Sequence, residues 1–143
     1  MEKGYKILEH PADVRVQAFG KTKEELFLNA VLGMNEILKS KAPPIWRAGA
    51  GQKSKVVRKI KVKSIDLNAL LVDFLSEVLC QIQTNKEIYN KIGFKEFKDD
   101  ELEAELFGNK IESFGEDIKA ATYHNLKIEQ RNDLYEATIL FDV

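Results

Sequence analysis

The sequence predicts an α+β fold: a single domain over residues 1–143 in which a mixed, largely antiparallel sheet packs against two main helices as a sandwich. Three observations predict it. Two stretches, about 23–39 and 66–85, carry apolar residues at helical spacing, and several shorter stretches alternate apolar with polar residues. No internal repeat, low-complexity tract or Gly/Ser/Pro-rich linker divides the chain. At 143 residues, 44% of them apolar and 31% charged, it is long enough to bury a core and short for two ordinary domains.

Tyr5–Phe19 reads as extended chain, with Val14, Val16 and Ala18 alternating against Arg15 and Gln17; the Pro11-Ala12-Asp13 corner splits it into two short strands. Thr22 and Glu25 have capping-box spacing and open a helix at 23–39. Its stripe runs Phe27, Ala30, Val31, Met34, Ile37, Leu38 until Pro43-Pro44 forbids continuation. The aperiodic run Lys41–Gln52 is a loop, with Trp46 expected to be partly exposed on it. Lys53–Lys63 follows as a strand, lysines on one face, Val56, Ile60 and Val62 on the other, Arg58 interrupting the apolar side. Asp66 is placed to cap a second helix whose Leu67, Leu70, Leu71, Phe74, Leu75, Val78, Leu79 and Ile82 make it the main core helix, ending near Asn85. Strands then fall at Lys91–Phe97, Glu101–Phe107, Asn125–Gln130 and Leu134–Asp142, the last two joined by an Arg131-Asn132-Asp133 turn.

Composition excludes several functional classes. Lys plus Arg number 22 against 23 Asp plus Glu, so no global field draws a polyanion, and direct RNA contact is expected to be weak or absent. The chain carries no spanning segment, so no membrane role is expected. One cysteine, Cys80, allows no intrachain disulfide, and the first residues lack the apolar core of a signal peptide; a reducing, cytoplasmic location follows as the expectation. Cys80 itself reads as a quiet, partly buried thiol. Two histidines and one cysteine cannot build a four-ligand zinc site, so any metal chemistry must use oxygen. Neither phosphate-cradling glycine motif occurs, and neither His10 nor His124 adjoins a nucleophile elbow.

Two features carry possible chemistry. The lysine ridge could contact phosphates, but Glu101, Glu103 and Glu105 offer an equally regular acidic strand to pair with it, and the structural reading is favoured. The carboxylates Asp142 and Val143 adjoin one another, with Glu136 and Thr138 on the Asp142 face, and Asp13 lies on a strand that could neighbour theirs. Such a group needs a lysine, solvent or a metal to balance it, and hard oxygen ligands suit calcium or magnesium.

Leu8-Glu9-His10-Pro11-Ala12-Asp13-Val14, Gly20-Lys21-Thr22-Lys23-Glu24-Glu25, Asp66-Leu67-Asn68-Ala69-Leu70-Leu71-Val72-Asp73-Phe74-Leu75, Lys119-Ala120-Ala121-Thr122-Tyr123-His124 and Phe141-Asp142-Val143 occur in that order. Together they resemble the archease family over the whole chain. The resemblance implies a non-enzymatic, metal-binding cofactor protein that assists the GTP-dependent RNA ligase joining tRNA exon halves, promoting its guanylylation and turnover. It implies a divalent cation, calcium first and magnesium second, held by Asp13, Asp142 and main-chain oxygen of Val143. Lys119, His10 and His124 fall within family motifs and are expected at the partner surface; Asp66 and Glu116 are candidate additional ligands. Two departures stand out: the family's usual His-Thr-Ala-Asp is His10-Pro11-Ala12-Asp13 here, and its common Trp in the core helix is Phe74. Two other classes compete: a general chaperone or RNA-binding adaptor using the Lys53–Lys63 strand, and a metal-dependent hydrolase, which would require an open coordination position and a general base.

Overall fold

The computed structural model describes residues 4–9, 13–38 and 55–143. His10, the Pro11 corner, the Pro43-Pro44 stop, the Trp46 loop and Lys53 lie outside the described residues. Strands β1 (Tyr5–Glu9) and β2 (Asp13–Gly20) lead into helix α1 (Lys23–Leu38). Strand β3 (Lys55–Lys63) is followed by helix α2 (Leu67–Asn85), then β4 (Glu87–Phe97), β5 (Glu101–Lys110), β6 (Ala120–Thr122), β7 (Glu129–Arg131) and β8 (Leu134–Asp142). The α+β class holds, with two helices among the described residues. The sheet divides in two, however: β1-β2-β8-β6 with β7 also on β8, and β3-β5-β4, every described pairing being antiparallel.

Both helices start as their sequence signals require. The Glu25 N–H donates to Thr22 Oγ1 at 3.0 Å, while the Glu25 carboxylate reaches back to the Lys21 N–H, one residue earlier than the ideal box. Asp66 caps α2 by accepting from the Ala69 N–H at 2.8 Å. Lys86, with φ of 54°, ends α2 by donating its N–H to Ile82 O, so β4 begins at Glu87, four residues before the alternation at Lys91 suggests.

Helix α1 packs against β2, β1 and β8 of the larger sheet and against β4 of the smaller, while α2 touches β3, β4 and β6. Between the helices and β4, Phe27, Phe74, Phe94 and Phe97 form a chain of aromatic contacts with centroids 4.9–5.8 Å apart. Phe74 is fully buried in it. Facing positions of β3 and β5 pair Lys59 with Glu105, Lys61 with Glu103 and Lys63 with Glu101. The lysine ridge is thus one half of a cross-strand charge ladder, with Lys61 Nζ 3.6 Å from both Glu101 and Glu103.

Arg58, the interruption in the apolar face of β3, meets a carboxylate that its own strand does not reveal. Glu87 is fully buried and accepts from Arg58 Nε at 2.9 Å, Arg58 Nη2 at 2.6 Å and the Tyr89 hydroxyl at 2.6 Å. Between them Gly108 on β5 makes room: a Cβ there would stand 1.8 Å from Ile88 O. The Arg58 guanidinium holds the Glu87 carboxyl below the usual carboxylate range, and burial together with Glu87 pushes the Tyr89 phenol up to about 12. Because the folded value for Glu87 is depressed, its stabilisation is fully present above the unfolded value of about 4.3 and is lost as pH falls through the folded one. Glu87→Gln is expected to lower the unfolding free energy by about 2 kcal/mol at neutral pH, the gap from wild type narrowing below about pH 4. Urea titrations at pH 7 and pH 3 check this, and an equal gap at both would remove the charge from the account.

Candidate functional site

The alternation of β2 decides what its first residue does. Val14, Val16 and Ala18 are buried against α1, and across β8 they face Phe141, Ile139 and Ala137, also buried. Asp13, Arg15 and Gln17 therefore share the outer face of the larger sheet with Asp142, Leu140 and Thr138. Asp13 lies directly opposite Asp142. In an antiparallel pair this brings the two Cβ atoms to about 5 Å on one face, where like charges repel.

Asp13 Oδ1 is buried and has no hydrogen-bond partner among the described residues. A carboxylate oxygen withdrawn from water without a donor calls for a cation. On the other side of β8, Ala120 of β6 pairs with Asp142, and the Lys119 N–H donates to Asp142 O at 2.7 Å. Three strand ends thus bring Asp13, Asp142 and Lys119 to one corner. Val143 continues from Asp142 with its side chain packed against the core. Among the described residues no cluster of three His, Cys, Asp or Glu side chains capable of holding a metal occurs. The corner offers two carboxylates and main-chain oxygens, a hard donor set that suits calcium or magnesium if water or a partner completes it.

Helix α2 holds the segment that carries Lys119. Gln83 Nε2 donates to Ile118 O at 2.9 Å, the Tyr123 hydroxyl donates to Asp73 Oδ1, and the Ile128 N–H donates to Asn68 Oδ1 at 3.0 Å. The Asp73 contact raises the Tyr123 phenol above its ordinary range. Asp73 also accepts from the Ser64 hydroxyl at its other oxygen. Asn68 and Asp73 fall off the apolar stripe of the helix, and in the sequence only their place in the Asp66–Leu75 motif singles them out.

These bonds also correct the expected strand at Asn125–Gln130. Asn125 has φ of 51° in a turn closed by the Leu126 N–H to Tyr123 O, and Ile128 is committed to Asn68, so only Glu129–Arg131 pairs with β8. Asn132 and Asp133, with φ of 51° and 65°, make the tight turn into β8. Cys80, expected to be partly buried, is exposed on α2, 3.8 Å from Thr84 Oγ1.

The remaining candidates scatter. His124 is exposed beside Asn125, with Nε2 3.3 Å from the amide nitrogen, on the same outer face as the carboxylates. Glu116 lines a separate cavity of about 160 Å³ with Ile7, Glu9, Val14, Glu36 and Ile37, on the α1 side of the sheet. Asp66 spends one carboxylate oxygen on the α2 cap.

Residues 5–143 match the model of the Archease protein family (MTH1598/TM1083). The chain belongs to the archease family. An archease of Methanosarcina barkeri is 33% identical over 150 residues, covering 99% of this chain and 97% of that one, and one of Saccharolobus islandicus is 32% identical with 99% of each covered. The solution structure of Methanobacterium thermoautotrophicum protein 1598 superposes with a TM-score of 0.67 at 26% identity, covering 99% of this chain and 100% of that one. A Thermotoga maritima crystal structure, described as an archease and possible chaperone, shares the fold with a TM-score of 0.66 at 22% identity and 96% of each covered.

The cap separates Asp66 from the corner experimentally. Asp66→Ala is expected to cost about 1 kcal/mol of stability while leaving calcium affinity, measured by calorimetry, unchanged; a loss as large as that from Asp13→Asn would make Asp66 a ligand.

Proposed function

We propose that this archease-family protein is a non-catalytic, divalent-metal-binding cofactor protein of the cytoplasm that activates the GTP-dependent tRNA-splicing RNA ligase by promoting its guanylylation and turnover. One observation supports this above the others: Asp13 opposite Asp142 on a single sheet face, with Asp13 Oδ1 buried and without a donor. The Asp13 and Asp142 carboxylates and main-chain oxygen of Val143 would hold the cation, calcium in the first place. When bound, the cation supplies charge that two facing carboxylates need and coordination positions open to an anionic group on the partner. Lys119, whose main chain is held by its N–H on Asp142 O, would serve as the cationic contact for the partner. His124 borders it on the outer face, and His10 belongs to the same family motif as Asp13.

The competing adaptor reading would use the Lys53–Lys63 strand. Lys59, Lys61 and Lys63 face glutamates on β5, which leaves that ridge little net charge for RNA.

The test is ligase guanylylation with and without this protein. Asp13→Ala and Asp142→Ala are each expected to lower the stimulation about tenfold or more, with secondary structure and unfolding midpoint preserved, a loss of the size that removing a metal ligand or its support brings. Stimulation equal to that of wild type with both variants overturns the site assignment. Retention of RNA at moderate salt with no ligase present would favour the adaptor.

A further inference from the structure

We propose that a cavity on the outer face of the larger sheet, next to the carboxylate corner, binds a phosphoryl group through Arg15, His124, Asn125 and Thr138. The inference uses no metal and no ligase, so it stands or falls apart from the function proposed above.

The register builds the cavity. One outward-facing position along from Asp13 and Asp142, Arg15 lies opposite Leu140; one further along, Gln17 lies opposite Thr138. Thr122 of β6 pairs with Leu140 on the other side, and accepts from the His124 N–H at 3.3 Å, which turns the chain back over the sheet. The result is a cavity of about 160 Å³ lined by Arg15, His124, Asn125, Thr138 and Leu140.

Among the described residues the lining consists of one guanidinium, one imidazole, one carboxamide, one hydroxyl and one apolar wall, with no carboxylate. Arg15 is half-buried, and among the described residues it has no ion-pair partner. The nearby acid at this end of the face is already committed: Glu136 receives Arg131 Nε at 3.1 Å and Gln17 Nε2 at 3.4 Å. A partly desolvated guanidinium that no carboxylate of the described residues contacts, Asp13 and Asp142 standing one outward-facing position away, can still take an anion, and its planar fork fits two oxygens of one group. Donors converging from two strands and a turn call for more than the two oxygens of a carboxylate. A phosphoryl group supplies three or four, and Leu140 gives its ester substituent an apolar surface.

The phosphoryl group could come from free phosphate or from a nucleotide, and a titration distinguishes them. The full chain, kept in EDTA, is titrated with inorganic phosphate, adenosine monophosphate and adenosine while amide and side-chain NMR shifts are followed. Saturable shifts are expected at Arg15, His124, Asn125 and Thr138 with phosphate and with the monophosphate, and none with adenosine. Equal affinity for the first two identifies free phosphate as sufficient; tighter binding of the monophosphate identifies a nucleotide. Arg15→Met is expected to weaken binding about tenfold or more, Arg15→Lys less, as charge-assisted hydrogen bonds are lost. Thr138→Val gives a second, smaller loss if Arg15→Met proves unstable. Asp13→Asn, which would abolish the corner's cation affinity, is expected to bind phosphate at least as tightly as wild type. Shifts that are absent, scattered over the surface, equally strong with adenosine, or unaffected by Arg15→Met and Thr138→Val would overturn the site.

Discussion

The pairing of β2 with β8 is the constraint on which the rest of the molecule depends. It sets Val14, Val16 and Ala18 against Phe141, Ile139 and Ala137 on the buried side, and the same register obliges Asp13 to face Asp142 on the other. The magnitudes explain why the arrangement survives. Burying each large apolar side chain contributes about 1.5–3 kcal/mol, while like charges at facing strand positions cost only a fraction of one to about 1 kcal/mol. A one-residue slip would relieve the repulsion and turn every apolar side chain of β2 to the outside. The carboxylate corner is a by-product of core packing that the fold cannot avoid.

The second determinant is α2, which does two jobs with two faces. Its apolar face is buried, with Leu70, Leu71, Phe74, Leu75, Val78 and Ile82 fully inaccessible. Its polar face ties down the chain from Ile118 to Ile128 through Gln83, Asp73 and Asn68. That segment carries Lys119 to Asp142 and folds the His124–Asn125 turn over the sheet. Charge elsewhere is largely committed: the β3 lysines to β5 glutamates, Arg58 to Glu87, Arg131 to Glu136. Against that background Asp13 and Arg15, neighbours on one strand face, stand out among the described residues: no donor reaches Asp13 Oδ1, and Arg15 has no ion-pair partner.

Both helices, their caps, and the β3–β5 charge ladder could be read from the sequence, because each depends on spacing within one segment. Thr22 with Glu25, Asp66 before Leu67, and lysines at alternate positions are local signals. What escaped was set by tertiary partners. Whether one sheet or two forms depends on which edges meet, and no segment encodes that alone. Asn125–Gln130 alternates like a strand, yet Asn68 takes the Ile128 N–H from any ladder. Arg58 was visible as an interruption, but the buried Glu87 that explains it lies 29 positions away. At the corner, the carboxylates were legible as residues and through the family resemblance; that Asp13 keeps an oxygen buried without a donor, and that Arg15 lines a cavity, required the fold.

The same strand pairing has a consequence for how the molecule comes into being. Gln17 and Glu136, close across β2 and β8, are 119 positions apart in the chain. Contacts of such long range carry the full entropy of closing the intervening loop, and they slow folding relative to local structure. Helices α1 and α2 and the β4–β5 hairpin can gather from nearby residues, but no fragment of the chain can contain a partial carboxylate corner. A partner or ion that recognises Asp13 and Asp142 together therefore distinguishes a finished molecule from one still folding.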